Sequence, residues 1–347
     1  MIKNNICIKK ILFLFILLVG ILIFPTNGWA ETGLDFNVQP KFSKNQLEGN
    51  SSYFDLNLKE GTIETLYLDI SNSSERDIEI EVTPHTAFTN LNGVVEYAKN
   101  PEFFDSSLSQ KLGELIDTPE PFILKKGETR EVEIVLTMPE KKFEGLLAGG
   151  LRIEETSNKE TLNSGKEGLN IENSFSYVIG IVVSNNRSAV PPELELLDVF
   201  PDQLNYRNVF SATIQNSMPT FVNQLEVEAI IRAEGKEDIL YTSESTGMQM
   251  APNSYFNYPI PLEGDRFTNG NYVANVTARS GEYEWNWEQK FTVNKETARR
   301  FNHEDVTIES GLNWWMIVAS ALFGVLILII GYLIYKSKNS MKRRSIK

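Results

Sequence analysis

From residue 50 to residue 293 the chain is a succession of short apolar runs separated by turn residues. Ile78, Ile80 and Val82 alternate with Glu79 and Glu81, the period of two expected of a strand with one wet face. Further strands are predicted over 53–58, 63–70, 121–124, 132–136, 146–153 and 175–183, making about eight in this half. Asn92-Gly93 ahead of Val94-Val95 is a hairpin turn signal, because a tight turn needs residues that tolerate positive φ. Two stretches break the rhythm. Residues 98–118 exceed a hairpin loop, with a short helix expected at 106–116, and residues 156–170 are polar and expected to form a surface loop.

Asn185 to Pro192 reads as a linker, polar and then stiffened by Pro191-Pro192. Beyond it the β pattern restarts, with strands expected at 193–199, 209–215, 225–232, 239–243, 255–260, 272–278 and 283–293. Seven strands in about 100 residues is immunoglobulin-like spacing. Gly247 to Ser254 is expected to be a compact loop carrying Met248 and Met250.

The two ends differ in kind from the middle. Lys3, Lys9 and Lys10 precede an apolar run of 14 residues, Ile11 to Phe24, and Gly28 and Ala30 fit a signal-peptidase site. At about 1.5 Å per residue such a run falls short of a bilayer core of about 30 Å. Trp314 to Tyr335, in contrast, is apolar for 22 residues and long enough to span, and it is flanked by aromatics. Six cations and no acid follow it, which predicts a cytoplasmic tail by the positive-inside rule.

The expected fold is therefore all-β: two immunoglobulin-like β-sandwich domains in tandem, followed by one C-terminal transmembrane helix. The segments are a signal peptide (1–30), a first sandwich (31–189), a second sandwich (190–294), a stalk (295–313), the span (314–335) and a basic tail (336–347). That describes a single-pass type I protein of the cell membrane whose bulk is extracellular.

Charge narrows the partners. The chain has 33 basic and 46 acidic residues; without the three lysines of the leader and the six cations of the tail, 24 stand against 46, near −22. Nucleic acid is excluded as a partner, since phosphate binding needs clustered Lys and Arg. The one cysteine, Cys7, lies in the leader, so the mature chain has no disulfide, thiol nucleophile or cysteine metal site. A cysteine-free, acidic, type I chain with a plain basic stop looks like a Gram-positive surface protein.

Catalytic signals are scarce. The two histidines, His85 and His303, stand in no nucleophile-elbow context, and no H-E-x-x-H, P-loop or calcium loop is present. Glu263, Asp265 and Asn269 share a turn, but at a spacing that fits no metal loop. No cofactor is expected and the protein is not expected to be an enzyme; the alternative is a wall-active hydrolase with a dispersed carboxylate pair. Tyr283, Trp285 and Trp287 share one strand face, which either closes the second core or forms an exposed ledge for sugar or protein. Met248 and Met250 either cap that core or form an adaptable contact patch. These five residues are the candidate partner-binding positions.

Several stretches, in order, carry a family resemblance: Tyr53-Phe54-Asp55-Leu56, Ile70 to Ser74, Lys126-Gly127-Glu128-Thr129, Met138-Pro139, Gly149 to Ile153 and Ser176 to Gly180. Asn205 to Asn208, Gly247 to Ser254 and Trp287 to Phe291 continue it. The chain resembles the WxL-interacting proteins of low-GC Gram-positive bacteria. The resemblance implies an N-terminal domain that binds peptidoglycan and a second that engages WxL-domain wall proteins or host extracellular ligands. It implies an adaptor that holds WxL proteins at the surface, and it transfers no binding residue.

Overall fold

The computed structural model describes residues 35–49, 51–156, 175–308, 318–325 and 327–329. The leader, the polar stretch from 157 to 170 and the tail lie outside the described residues.

The first half is a sandwich of two sheets. One runs β1 (Phe36–Lys41), β3 (Ile63–Asn72), β9 (Thr129–Thr137), β7 (Ile116–Asp117). The other runs β2 (Phe54–Asn57), β11 (Ser176–Ser184), β10 (Leu147–Glu155), β4 (Ile78–Thr86), β8 (Phe122–Leu124). The β2–β11 pair is parallel and the remaining pairs are antiparallel. Leu66, Leu68 and Ile70 of β3 and Val132, Ile134 and Leu136 of β9 face Phe54, Leu56, Ile78, Ile80, Leu151 and Ile181 across the core. Glu79 and Glu81 of β4 lie on the outer face, as the alternation requires. The hairpin signal at Asn92-Gly93 is met by β5 (Phe88–Thr89) and β6 (Val95–Glu96), with Gly93 at φ +65°.

The second half is an immunoglobulin-like sandwich of seven strands. They are β12 (Leu194–Leu204), β13 (Arg207–Asn216), β14 (Val222–Ala233), β15 (Ile239–Met250), β16 (Ser254–Pro261), β17 (Gly270–Ser280) and β18 (Tyr283–Val293). β12, β13 and β16 form one sheet; β15, β14, β17 and β18 form the other. Phe210 sits among Tyr241, Phe267, Tyr272 and Phe291, with ring centroids 5.1 to 5.9 Å away. Buried Tyr258 keeps its hydroxyl partnered by Ser243 Oγ at 3.0 Å and Ser245 Oγ at 3.2 Å.

Three expectations need correction. The helix expected at 106–116 shrinks to one 3-10 turn, Leu112–Leu115. Asp105 accepts from Ser107 N at 2.7 Å, a local turn that competes with a helix, and Ile116 already pairs with Leu136. Met248 and Met250 do not ride on a loop: they end β15, paired with Leu225 and Val222, and only Ala251 to Asn253 turn. The stalk expected from 295 opens instead with α1 (Lys295–Glu304), docked on the second sandwich through Ala298 and Phe301. Asn294 caps it by accepting from Thr297 N at 2.8 Å. Of the expected span, 318–325 and 327–329 are described and helical. No described helix is long and apolar enough to cross a membrane.

Candidate functional site

The linker does not hang free between the sandwiches. Asn185 Nδ2 donates to Leu58 O and its Oδ1 accepts from Phe143 N, both at 2.8 Å, and Arg187 is ion-paired with Asp55. The β5–β6 hairpin then leaves the first sandwich and lies on the second. Gly93 O accepts from Gln249 N at 2.7 Å, and Thr89 Oγ1 accepts from Ala251 N at 3.0 Å. Ser254 Oγ donates to Ala251 O, so in its 2.6 Å contact with Ser254 the Thr89 hydroxyl is the donor. Gln215 Nε2 reaches both oxygens of Asp105, Asn253 Nδ2 donates to Ser107, and Leu146 N donates to Pro219 O at 2.8 Å. Ala87, Val95, Ala148, Val182 and Ala251 form a small apolar core between the domains. Buried hydroxyls and amides joined in this way fix one orientation, because any other leaves them unpaired.

Beside that contact lies a cleft of about 740 Å³. Its first wall is the hairpin with residues 99–105; its second is 253–257 at the start of β16. Phe88, Phe103, Phe104 and Tyr255 present rings to it. Phe103 is 68% exposed, so the fold does not explain why an aromatic stands there. Asn90 Oδ1 is occupied by Asn92 N and Val94 N, and Asn257 Oδ1 by Thr213 Oγ1. Their NH2 groups have no partner among the described residues. Charge in the lining is net negative, with Lys99 against Glu96, Glu102 and Asp105.

The titratable groups in and around the cleft serve the fold. His85 lies nearby, held below its ordinary 6.5 first by burial and then by Arg152, and its Nδ1 is buried without a partner. Tyr97, half-buried in the apolar contact between the domains, has its phenol pushed up to about 12 by that burial. Among the described residues no group of His, Cys, Asp and Glu could hold a metal ion. Of the cleft's carboxylates, Glu96 accepts from the backbone N–H groups of Tyr97 and Ala98, and Asp105 accepts from Ser107 N and Gln215 Nε2.

The five positions singled out in the sequence lie elsewhere. Tyr283, Trp285 and Trp287 share a face of β18, the outer strand of its sheet. Trp285 and Trp287 are half-buried against the core, and Trp285 Nε1 donates to Glu193 at 3.2 Å. Tyr283 is exposed and stacks on Trp285, centroids 5.9 Å apart and planes 13° from parallel. Met250 is wholly buried in the second core and Met248 is covered by Gly93 of the hairpin, so neither thioether offers a free surface. The cleft itself was missed as a site, although its first wall left two traces: the Asn92-Gly93 signal and the long interval from 98 to 118.

Comparison with known proteins gives two matches in order along the chain, the second beginning ahead of β11 of the first sandwich. Residues 36–155 match the peptidoglycan binding domain of WxL Interacting Protein, and residues 166–303 match the host binding domain of WxL Interacting Protein. Both are binding domains and neither is an enzyme. No curated protein matches the chain by sequence. Among solved structures, the YadV chaperone is 8% identical, covering 75% of this chain and 100% of its own, at a TM-score of 0.30. The E. coli chaperone DraB is 15% identical, covering 69% and 94%, at 0.26. A chain from a chaperone–tip adhesin complex of CFA/I fimbriae biogenesis is 10% identical, covering 74% and 98%, at 0.30. Likeness that shallow bears on no question of function. With residues 36–155 and 166–303 matched in order by the two domains of one family, the chain belongs to the WxL-interacting proteins.

Proposed function

We propose that this protein is a non-catalytic adaptor at the surface of a Gram-positive cell. Its first sandwich binds peptidoglycan, and its second holds a WxL-domain wall protein or a host ligand. The observation that carries this reading is the match of two binding families, in order, to two sandwiches locked together by buried hydrogen bonds. A rigid pair holds two partners at a set separation, which a hinged pair does not. The leader ending at Ala30 and the apolar stretch from Trp314 to Tyr335 support export and a single-pass anchor, with residues 336–347 inside. The exposed Tyr283, stacked on Trp285, is the part of the aromatic face that a partner of the second sandwich can reach. The test uses the mature full-length chain in lipid nanodiscs. It should pellet with purified sacculi and, in the same mixture, carry a WxL-domain protein of the same cell into the pellet. Pelleting of the chain without the WxL protein would remove the adaptor role; failure of the chain to pellet would remove the wall-binding role.

A further inference from the structure

We infer that the cleft between the sandwiches is a saccharide site, taking a short run of uncharged pyranose rings against both domains at once. The inference rests on the wall-binding reading above and gives it a place and a ligand class.

Three observations converge. The cleft, at about 740 Å³, falls within the roughly 300–1,000 Å³ of small-ligand sites, and such sites favour domain boundaries. Its chemistry is that of a sugar binder. A pyranose ring has an apolar C–H face that lies on an aromatic ring and an equatorial belt of hydroxyls that needs amides. The exposed Phe103 supplies the ring, with Tyr255 on the opposite wall, and the amide NH2 groups of Asn90 and Asn257 supply donors from the two domains. The cleft also argues against a polyanion. Lys99 alone cannot neutralise a polyanion beside Glu96 and Glu102. Because Asn90 and Phe103 belong to the first sandwich and Tyr255 and Asn257 to the second, a bound glycan would bridge them. Wall binding would then depend on the docking of both domains.

The experiment compares the full-length chain in nanodiscs with its Phe103→Ala and Tyr255→Phe variants. Each is tested for retention on sacculi and for binding of an N-acetylglucosamine tetramer, read by calorimetry and by hydrogen-exchange protection of 88–105 and 253–257. Phe103 is exposed, so its truncation leaves the fold intact, and unchanged melting of the variant confirms that. The expected result is protection of both segments and about tenfold weaker binding by Phe103→Ala, the scale of an aromatic anchor. If the parent chain pellets with sacculi while both variants bind equally well and neither segment is protected, the cleft assignment is overturned and the wall-binding reading stands. If the tetramer binds in the cleft and sacculi do not, the saccharide site stands and the wall reading fails. Absence of both bindings overturns both.

Discussion

Gly145→Ala is the substitution that most directly measures how firmly the two sandwiches are joined. Gly145 has φ +71°, and a Cβ added there would lie 2.2 Å from Pro219 O and 2.7 Å from Pro219 Cγ, atoms of the other sandwich. The obstruction is backbone, so relief requires the second sandwich to move. Movement stretches the 2.8 Å bond from Leu146 N to the same carbonyl. The left-handed conformation costs an alanine about 1–2 kcal/mol, overpacking about 1–3 kcal/mol, and the lost hydrogen bond about 1 kcal/mol. Gly127→Ala separates these contributions, because Gly127 has φ +70° and nothing within 4 Å. It should lose only the conformational share. The difference, about 2–4 kcal/mol, reports the contact between domains alone. In urea titrations followed by circular dichroism, with a slope of roughly 1–3 kcal/mol per molar, the Gly145 variant should unfold at least about 0.7 M below the Gly127 variant. Hydrogen exchange at the Leu146 amide should rise in the first variant and not in the second. Equal midpoints for the two variants would refute the claim that the sandwiches form one packed unit.

Asp305 anchors α1: its carboxylate accepts from Asn208 N and Thr307 N at 2.7 Å, from Thr307 Oγ1 at 2.6 Å and from Ile308 N at 3.3 Å. Burial opposes its ionisation, but the Thr307 hydroxyl and these backbone donors outweigh that and hold it below its ordinary 3.8. A depressed carboxyl stabilises the fold above 3.8 and loses that contribution as pH falls through its folded value. Exchange protection of 295–304 should therefore persist to pH 4 and fade below it, and Asp305→Ala should remove about 1–3 kcal/mol of it at pH 7. Arg187→Ala leaves Asp55, 17% exposed, without its cation and should lower stability by about 1–3 kcal/mol in denaturant titration, below the range of a fully buried pair. Thr89→Val deletes the donor to Ser254 and the acceptor for Ala251 N, and should loosen the hairpin by a similar amount, visible as faster exchange at Ala251. Trp287→Ala should lower the melting temperature of the second sandwich, whereas Tyr283→Ala, truncating an exposed ring, should scarcely move it.

Much of the architecture was legible because it follows from local pattern. Alternation such as Ile78-Glu79-Ile80-Glu81-Val82 places a strand and chooses its buried face without reference to any neighbour. Short strands were harder. Ile116–Asp117 has too few residues to show a period and is a strand only because β9 lies beside it. Met248 and Met250 looked like loop residues since Gly247 precedes them and Pro252 follows. Both nevertheless sit in the ladder opposite Leu225 and Val222, where pairing overrides the punctuation. The helix at 295–304 carries a legible cap in Asn294, yet its charges read as a solvated stalk. Only the burial of Ala298 and Asp305 against the second sandwich shows that it is docked.

By itself, the sequence determined the class of the protein: two β-rich halves, a strongly acidic stretch between two apolar ends, and a single cysteine, Cys7. These are properties of composition and period, and each residue contributes to them independently. The tertiary structure alone decided what the halves do to each other. Thr89 and Ser254 are 165 positions apart, and Asp105 and Gln215 are 110 apart. Neither pair shows any local sign of its partner. The interface and the cleft beside it exist because buried polar groups must find complementary ones, and that condition can be met only after both sandwiches have folded and come together.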